Sequence, residues 1–300
     1  DFGFTNEGVY ALRNVLSESV IDIENMQHIN GIVWRKNGVP TMNPPEKVVP
    51  AARMDIDLPG YAWDLLPYDE KPLDLYRAPF WHAEYDQNKR SPYAAIQTSL
   101  GCQFACEFCM INILNRNDDD EIGVAGNYSL MRHWSPEFII KEFDKLEMFL
   151  LNRKYYVPLC EMLRDRGYGK KLRMWAYSRI DTIRRPELLG LVREAGIKWL
   201  ALGIESADRK VRLEVSKGRF EDVHIEKIIE QVHDAGIEVM ANYIFGLPGD
   251  SKESMRSTLD LSKELCTFGW NGYPSMALPG SQLYKNAIKK GVEMPKTYDG

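Results

Sequence analysis

Cys102, Cys106 and Cys109 stand within the run Gly101-Cys102-Gln103-Phe104-Ala105-Cys106-Glu107-Phe108-Cys109, and they are the residues whose type and spacing most clearly imply chemistry. The chain has five cysteines, an odd number, and three of them crowd together, which is a metal-binding pattern and not a disulfide framework. Zinc usually takes four ligands arranged as paired knuckles, and no second pair exists, although the isolated His82 and His133 could complete a tetrahedron. Three thiolates can instead hold three corners of a four-iron cube and leave one iron open to an outside ligand. Cys160 and Cys266 fall in amphipathic segments and read as small core residues.

Elements must bring other groups to these thiolates. A strand is expected over Tyr93–Leu100, ending at the cysteines. Helices are expected over Pro136–Leu146 and Asn152–Arg166, then a strand over Lys171–Ser178 and a helix over Arg185–Ala195. A strand over Ile197–Gly203, a helix over Phe220–Ala235 and a strand over Ile237–Phe245 follow. The series closes with a helix over Lys252–Leu265, a strand over Thr267–Met276 and a helix over Gln282–Lys290. Helices that end at Gly196 and Gly236 and turn into Ile-led strands fit βαβ units around a parallel sheet, hence an α/β fold. Ligands gather at the carboxyl ends of such strands. Arg179, Glu205 and the Gly246-Leu247-Pro248-Gly249 turn after Phe245 all fall there. A carboxylate at a strand tip, as at Glu205, needs a cation or a ligand. Asp181 reads equally well as a helix cap, and Glu253 suits the dipole of the helix it begins. Strand alternation lets Asn271, Tyr273 and Met276 face the cavity.

The chain has 300 residues, enough for one large domain or two ordinary ones, and a formal charge of -5 without long blocks of one sign. That balance gives no electrostatic reason to expect nucleic acid, and no apolar run is long enough for a membrane span. The first residues lack the features of a secretion signal, so a cytoplasmic location is the expectation. Before residue 93 the texture differs. A helix is expected over Val9–Leu16, a strand over Ile29–Arg35 and a turn at Lys36-Asn37-Gly38. A proline-rich strap follows over 41–92, with large apolar groups at 57–67 that suit packing on a neighbour. At Leu146/Glu147 two helices abut with no room for a strand. Either one helix runs through 136–166 or a stretch of chain is missing there, and the second fits the rhythm of the sheet better.

The Cys102, Cys106, Phe108, Cys109 pattern resembles the radical S-adenosylmethionine enzymes, whose signature is Cys-x-x-x-Cys-x-aromatic-Cys after the first strand of a partial (β/α)6 TIM-like barrel. The resemblance implies a [4Fe-4S] cluster on the three cysteines and S-adenosylmethionine on the open iron. It further implies Phe108 beside the adenine, Arg179 and Glu205 orienting the cofactor, and Phe245, Gly246, Leu247 and Gly249 lining the adenine pocket. Tyr273 to Tyr284, with Pro279-Gly280-Ser281-Gln282-Leu283-Tyr284, is similar to the branch that also carries a cobalamin-binding domain. Residues 1–40 resemble the tail of that Rossmann-like domain with its connecting ribbon, 41–92 the linker strap, and 93–300 the barrel. The Asp-x-His-x-x-Gly motif used by some corrinoid proteins is absent, and only Glu147 could stand for the acidic end of the second barrel strand.

The implied reaction is cleavage of S-adenosylmethionine, followed by methylation or rearrangement of an unactivated carbon in a small molecule. A reductant such as flavodoxin or ferredoxin would feed the cluster, and the 110–134 loop would meet the substrate. A cobalamin-independent radical enzyme, and a non-catalytic barrel stapled by a metal–thiolate site, are the alternatives.

Overall fold

A strand with helices packed against one face buries the residues of that face most deeply, as three consecutive strands of this chain do. A computed structural model describes residues 2–22, 26–62, 95–102, 104, 106–111, 131–143, 153–183, 185–215, 223–265 and 267–294. Strands β6 (Met174–Arg179), β7 (Ile197–Glu205), β8 (Glu238–Phe245) and β9 (Gly269–Pro274) form one parallel sheet in that order. Ala176, Leu200, Leu202, Ile204, Val239, Ala241 and Tyr243 are fully buried in the main core. They meet α4 (Arg153–Asp165), α6 (Leu189–Ala195) and α8 (Ile225–Asp234) through Leu163, Val192 and Val232. Each such aliphatic burial contributes about 1.5–3 kcal/mol. The opposite face carries Trp175, Tyr177 and Arg179 on β6, Gly203 on β7, Asn242 on β8 and Asn271 on β9, in register across the sheet.

The expected strands and helices of this region are present, with ends shifted by a few residues. The helix expected from Arg185 begins as a 3-10 turn at Pro186–Leu188 before α6. Two helices were not anticipated. The four-residue α5 (Tyr168–Lys171) follows α4. Helix α7 (Arg209–Val215) starts where the Asp208 carboxylate accepts from the N–H groups of Lys210 and Val211 at 2.7 and 3.1 Å. Helix α9 (Lys252–Glu264) opens on a reciprocal Ser251–Ser254 capping box, and α10 (Gln282–Lys289) opens on Ser281.

The segment before the cysteines departs from expectation. Among the described residues of that segment only β4 (Ser99–Leu100) is strand, and it pairs antiparallel with β5 (Arg132–His133). The N–H of Trp134 also donates to the Thr98 carbonyl at 3.3 Å, so this backbone is hydrogen-bonded to 132–134 and, among the described residues, is not in the parallel sheet. Helix α3 (Pro136–Phe143) follows β5. The Leu146/Glu147 join, Cys266, His82 and residues 112–130 of the loop expected to meet substrate lie outside the described residues.

At the front, β1 (Gly3–Phe4), β2 (Ile32–Lys36) and β3 (Val39–Met42) form an antiparallel sheet beside α1 (Val9–Leu16). Asn37 and Gly38, both at positive φ (51° and 80°), make the two-residue hairpin expected there. Buried Asn43 accepts from Trp34 Nε1 at 3.0 Å and donates to the carbonyls of Met26 and Ile29. Within the strap, the stretch read as irregular contains the short helix α2 (Met54–Asp57).

Front and barrel are joined by a buried knot. The Arg132 guanidinium pairs with the Glu7 carboxylate and donates to the Val49 carbonyl, while the Val49 N–H donates to Glu7 at 2.8 Å. Two strap contacts lie alongside it. Trp134 Nε1 donates to the Leu58 carbonyl at 2.9 Å, and the Ser135 N–H donates to Asp55 at 2.8 Å. Removing one partner of a buried ion pair strands the other in low dielectric, at a cost of about 3–5 kcal/mol. Arg132→Leu should therefore lower the free energy of denaturant-induced unfolding by about that amount. A loss below about 1 kcal/mol, the range of exposed pairs, would contradict the buried-knot reading.

Candidate active site

The parallel strands deliver their carboxyl-end residues to one rim, and the cysteine loop lies against it. The Glu107 N–H donates to the Val215 carbonyl at 2.9 Å, and the Leu283 N–H donates to the Glu107 carbonyl at 2.9 Å. The loop is thereby bonded to the end of α7 and the start of α10. Cys102 and Cys106 are half-buried and Cys109 is exposed, all in the thiol form. Backbone N–H groups of Phe104 and Ile111 lie 3.5 Å from the sulfurs of Cys102 and Cys109, and donors of this kind tune iron–sulfur clusters. Cys160 is fully buried in the main core, as its helix position implied. Among the described residues, no three His, Cys, Asp or Glu side chains converge on one metal ion. The cube asks for something different, one thiolate on each of three irons.

Arg179, the last residue of β6, connects this loop to the rim. Its Nε donates to Asp181 Oδ1 at 2.8 Å and its Nη2 pairs with Oδ2, while Nη1 lies 3.9 Å from Cys106 Sγ. The guanidinium stacks over Phe104 at 3.7 Å from the ring centre. Asp181 is fully buried, so its carboxylate is a positioning group for Arg179 rather than the helix cap it resembled. The signal was present as an acid two residues after the rim arginine, but a cap and an ion-pair partner look alike in sequence.

Glu205 ends β7 at φ 69°, a left-handed conformation that costs energy for a residue with a Cβ. The register of β7 against β8 shifts between Gly203 and Glu205, which turns the side chain back over the strand. A Cβ added to Gly203 would lie 2.7 Å from a Glu205 carboxylate oxygen and 3.7 Å from Arg179 Cγ, so the missing side chain makes room for the acid beside the arginine. Residues the sequence did not mark hold this turn. Buried Thr258 accepts from the Ala207 N–H at 3.0 Å, and the buried Arg212 guanidinium donates to the carbonyls of Ser206 and Ala207, both at 2.7 Å.

Phe108 and Leu247 also come together. Phe108 packs on buried Val211, Val215 and Leu247, so the aromatic of the cysteine motif meets the Gly-Leu-Pro-Gly turn. Gly246 and Gly249 both take positive φ. The Asp250 carboxylate accepts from the N–H groups of Gly246 and Leu247 at 2.9 and 3.0 Å, which fixes the turn. Phe245 is placed apart from this group. Its ring packs on the main core, close to where a Gly272 side chain would lie, and its carbonyl accepts from Ser275 N–H at 2.8 Å.

Electrostatics follow burial. Burial pushes the Cys106 thiol up to about 11, with Arg179 opposing, so a thiolate there needs a further cation. Burial likewise pushes the Glu205 carboxyl up to about 7, with Arg179 pulling down and Asp181 adding to the rise. A carboxyl raised in the folded state stabilises the fold fully below its ordinary value of 4.5, and that contribution is lost as pH rises through about 7. Glu205→Gln cannot ionise and escapes the loss. In the protein without cluster, the variant should gain stability over the wild type between pH 5 and pH 8, by on the order of 2 kcal/mol, in urea unfolding. A difference independent of pH would contradict the desolvated carboxyl.

Comparison with known proteins bears on the family and the fold. The sequence profile of the Radical SAM superfamily matches residues 96–262. An uncharacterized methyltransferase of Pyrococcus horikoshii is 25% identical over 89% of this chain and 54% of its own length. The anaerobic magnesium-protoporphyrin IX monomethyl ester cyclase of Cereibacter sphaeroides is 24% identical over 59% of the chain and 28% of its own. The solved structure of the radical S-adenosylmethionine methyltransferase TsrM from Kitasatospora setae, with cobalamin and a [4Fe-4S] cluster bound, superposes with a TM-score of 0.66. It does so at 16% identity, covering 100% of this chain and 57% of that one. The chain thus spans about half the length or less of the relatives it matches. Its fold is that of the TsrM structure, and the cysteine motif falls inside the matched region: the chain belongs to the Radical SAM superfamily.

Proposed function

We propose that this chain is the core of a cobalamin-dependent radical S-adenosylmethionine enzyme that methylates or rearranges an unactivated carbon of a small molecule. The observation that carries the reading is Arg179, pinned by Asp181 with one nitrogen toward Cys106 and Glu205 at its side. The donor set fits a [4Fe-4S] cluster: three thiols in one loop, two backbone N–H donors on their sulfurs and a guanidinium beside the third. When bound, the cluster would supply the electron that cleaves the sulfonium of S-adenosylmethionine, and the corrinoid a methyl group or assistance to a rearrangement. Cys102, Cys106 and Cys109 would hold the irons. Arg179 and Glu205 would orient the amino-acid end of the cofactor, and the turn 245–249 would support its adenine. Phe108, packed against Leu247, would keep water from the cluster edge.

The domain reading is part of the proposal: 93–300 as the barrel, 41–92 as strap and 1–40 as the tail of the corrinoid domain. The cobalamin component is supported by the resemblance of Pro279–Tyr284 and of residues 1–40 to the cobalamin-bearing branch and by the likeness to a cobalamin-bearing fold. No described helix is long and apolar enough to cross a membrane. Methylation and rearrangement both remain in the proposal, since the matched relatives include a methyltransferase and a cyclase.

Anaerobic reconstitution tests it. The wild type should take up about four irons and four sulfides and release 5′-deoxyadenosine or S-adenosylhomocysteine from S-adenosylmethionine. The Cys102→Ala, Cys106→Ala, Cys109→Ala variant should lose both. Arg179→Lys should keep the irons and cut cofactor cleavage by about tenfold or more, because an ammonium cannot reproduce the two-pronged contact with Asp181. Iron and sulfide retained by the triple variant, or one zinc per chain in the wild type, would overturn the proposal.

A further inference from the structure

Helices α8 and α9 precede and follow β8 in the chain, and they bury different chemistry. Helix α8 buries Ile225, Ile228, Ile229 and Val232, an ordinary aliphatic face. Helix α9 buries Ser254, Thr258 and Ser262, one residue per turn along a single face. Apolar packing needs no hydroxyls, and a buried hydroxyl is costly unless it is bonded. Ser262 bonds within its own helix, at 2.7 Å to the Leu259 carbonyl. The other two reach out of it, each toward a different turn at the rim. Thr258 Oγ1 accepts from the Ala207 N–H at 3.0 Å and lies 3.2 Å from Ser206 Oγ. The Ser206 N–H donates to the Ile204 carbonyl at 2.9 Å, so Glu205 is the middle of a three-residue turn at φ 69°, a strained form. Ser254 Oγ donates to Asp250 Oδ1 at 2.6 Å, and Asp250 Oδ2 holds the N–H groups of Gly246 and Leu247. The two hydroxyl residues are themselves linked, since Thr258 Oγ1 donates to the Ser254 carbonyl at 3.0 Å.

We infer that Thr258 and Ser254 are positioning residues for the cofactor, Thr258 for its amino-acid end through the Glu205 turn and Ser254 for its adenine end through Asp250. The inference rests on the catalytic reading above, which puts the amino-acid end at Arg179 and Glu205 and the adenine at 245–249. One face of one helix then sets the spacing between the two ends of the site, across a rise of about 6 Å for four residues. Each hydroxyl acts through a backbone turn and not by touching the cofactor. A strained turn persists only while its surroundings hold it, so loss of the Thr258 hydroxyl releases Glu205 from its place beside Arg179. Loss of the Ser254 hydroxyl takes one partner from Asp250, and the turn that Asp250 braces loosens. A role in packing alone would make no distinction between the two ends.

Methionine and 5′-deoxyadenosine are matched probes, being the two halves of the cofactor. Their dissociation constants are read at equilibrium, by displacement of labelled S-adenosylmethionine from the anaerobically reconstituted full chain. Thr258→Val, which keeps the shape of the side chain, should weaken methionine about fivefold and leave 5′-deoxyadenosine unchanged. Ser254→Ala should weaken 5′-deoxyadenosine about fivefold and leave methionine unchanged. Thr258→Ser restores the hydroxyl and should bind both halves as the wild type does. Either of the first two variants acting on both halves alike, or on neither, would overturn the inference. So would a Thr258→Ser variant that behaves as Thr258→Val. Ser254→Ala decides by the same pattern if Thr258→Val does not fold. A wild type that binds neither half rejects the catalytic reading and the inference with it. Halves that bind to the wild type and are weakened without selectivity in the variants reject the inference alone.

Discussion

A half-buried guanidinium at the end of a parallel strand is the constraint on which the site depends. Arg179 cannot be sheltered there without an opposing charge, and Asp181, fully buried two residues on, provides it through two contacts. With two nitrogens held by Asp181, the third is directed to Cys106, and the stacked Phe104 fixes the plane. Glu205 then completes the group. It lies beside the arginine where Gly203 has no side chain to exclude it, and Thr258 and Arg212 hold the left-handed turn at the end of β7. Strain at Glu205 and desolvation of its carboxyl are thus consequences of one requirement, an acid folded back beside a pinned cation.

A second constraint sets where the three cysteines sit. The strand before Cys102 is held to β5, and β5 is held through Arg132 to Glu7 and Val49. The cysteine loop is therefore bonded on one side to the front of the chain and on the other to the barrel, through Glu107, Val215 and Leu283. The position of the cysteine sulfurs relative to Arg179 depends on both attachments. The strap meets the same region through the Leu58 carbonyl, which accepts from Trp134 Nε1, and the Asp55 carboxylate, which accepts from the Ser135 N–H.

Much of this was legible in the sequence. Strand and helix order in the sheet followed from Gly-capped helices leading into apolar strands, since local signals set that pattern. The cysteine motif, Arg179 and Glu205 were readable because rare residue types stood at strand ends. Groups acting through space were not. Asp181 resembled a cap, Thr258 lies 51 positions along the chain from the turn it holds, Arg212 was one more charge on the next helix, and Asp250 was one more acid after a glycine turn. The pairing of β4 with β5 was also hidden, because two-residue strands have no periodicity and Arg132 finds its partner 125 positions away. At Phe245 strand alternation turns the ring to the core while the backbone leads into the turn at the rim.

The central claim is that three thiolates from one loop leave one iron open toward Arg179 and Glu205. Electron–nuclear double resonance on the reduced, reconstituted chain measures this directly, using S-adenosylmethionine labelled with nitrogen-15 at its amino group. A nitrogen coupling large enough for a bond to iron, present in the wild type and lost or diminished in Arg179→Lys, is the predicted result. No coupling in a wild-type sample that carries a full cluster would contradict the account.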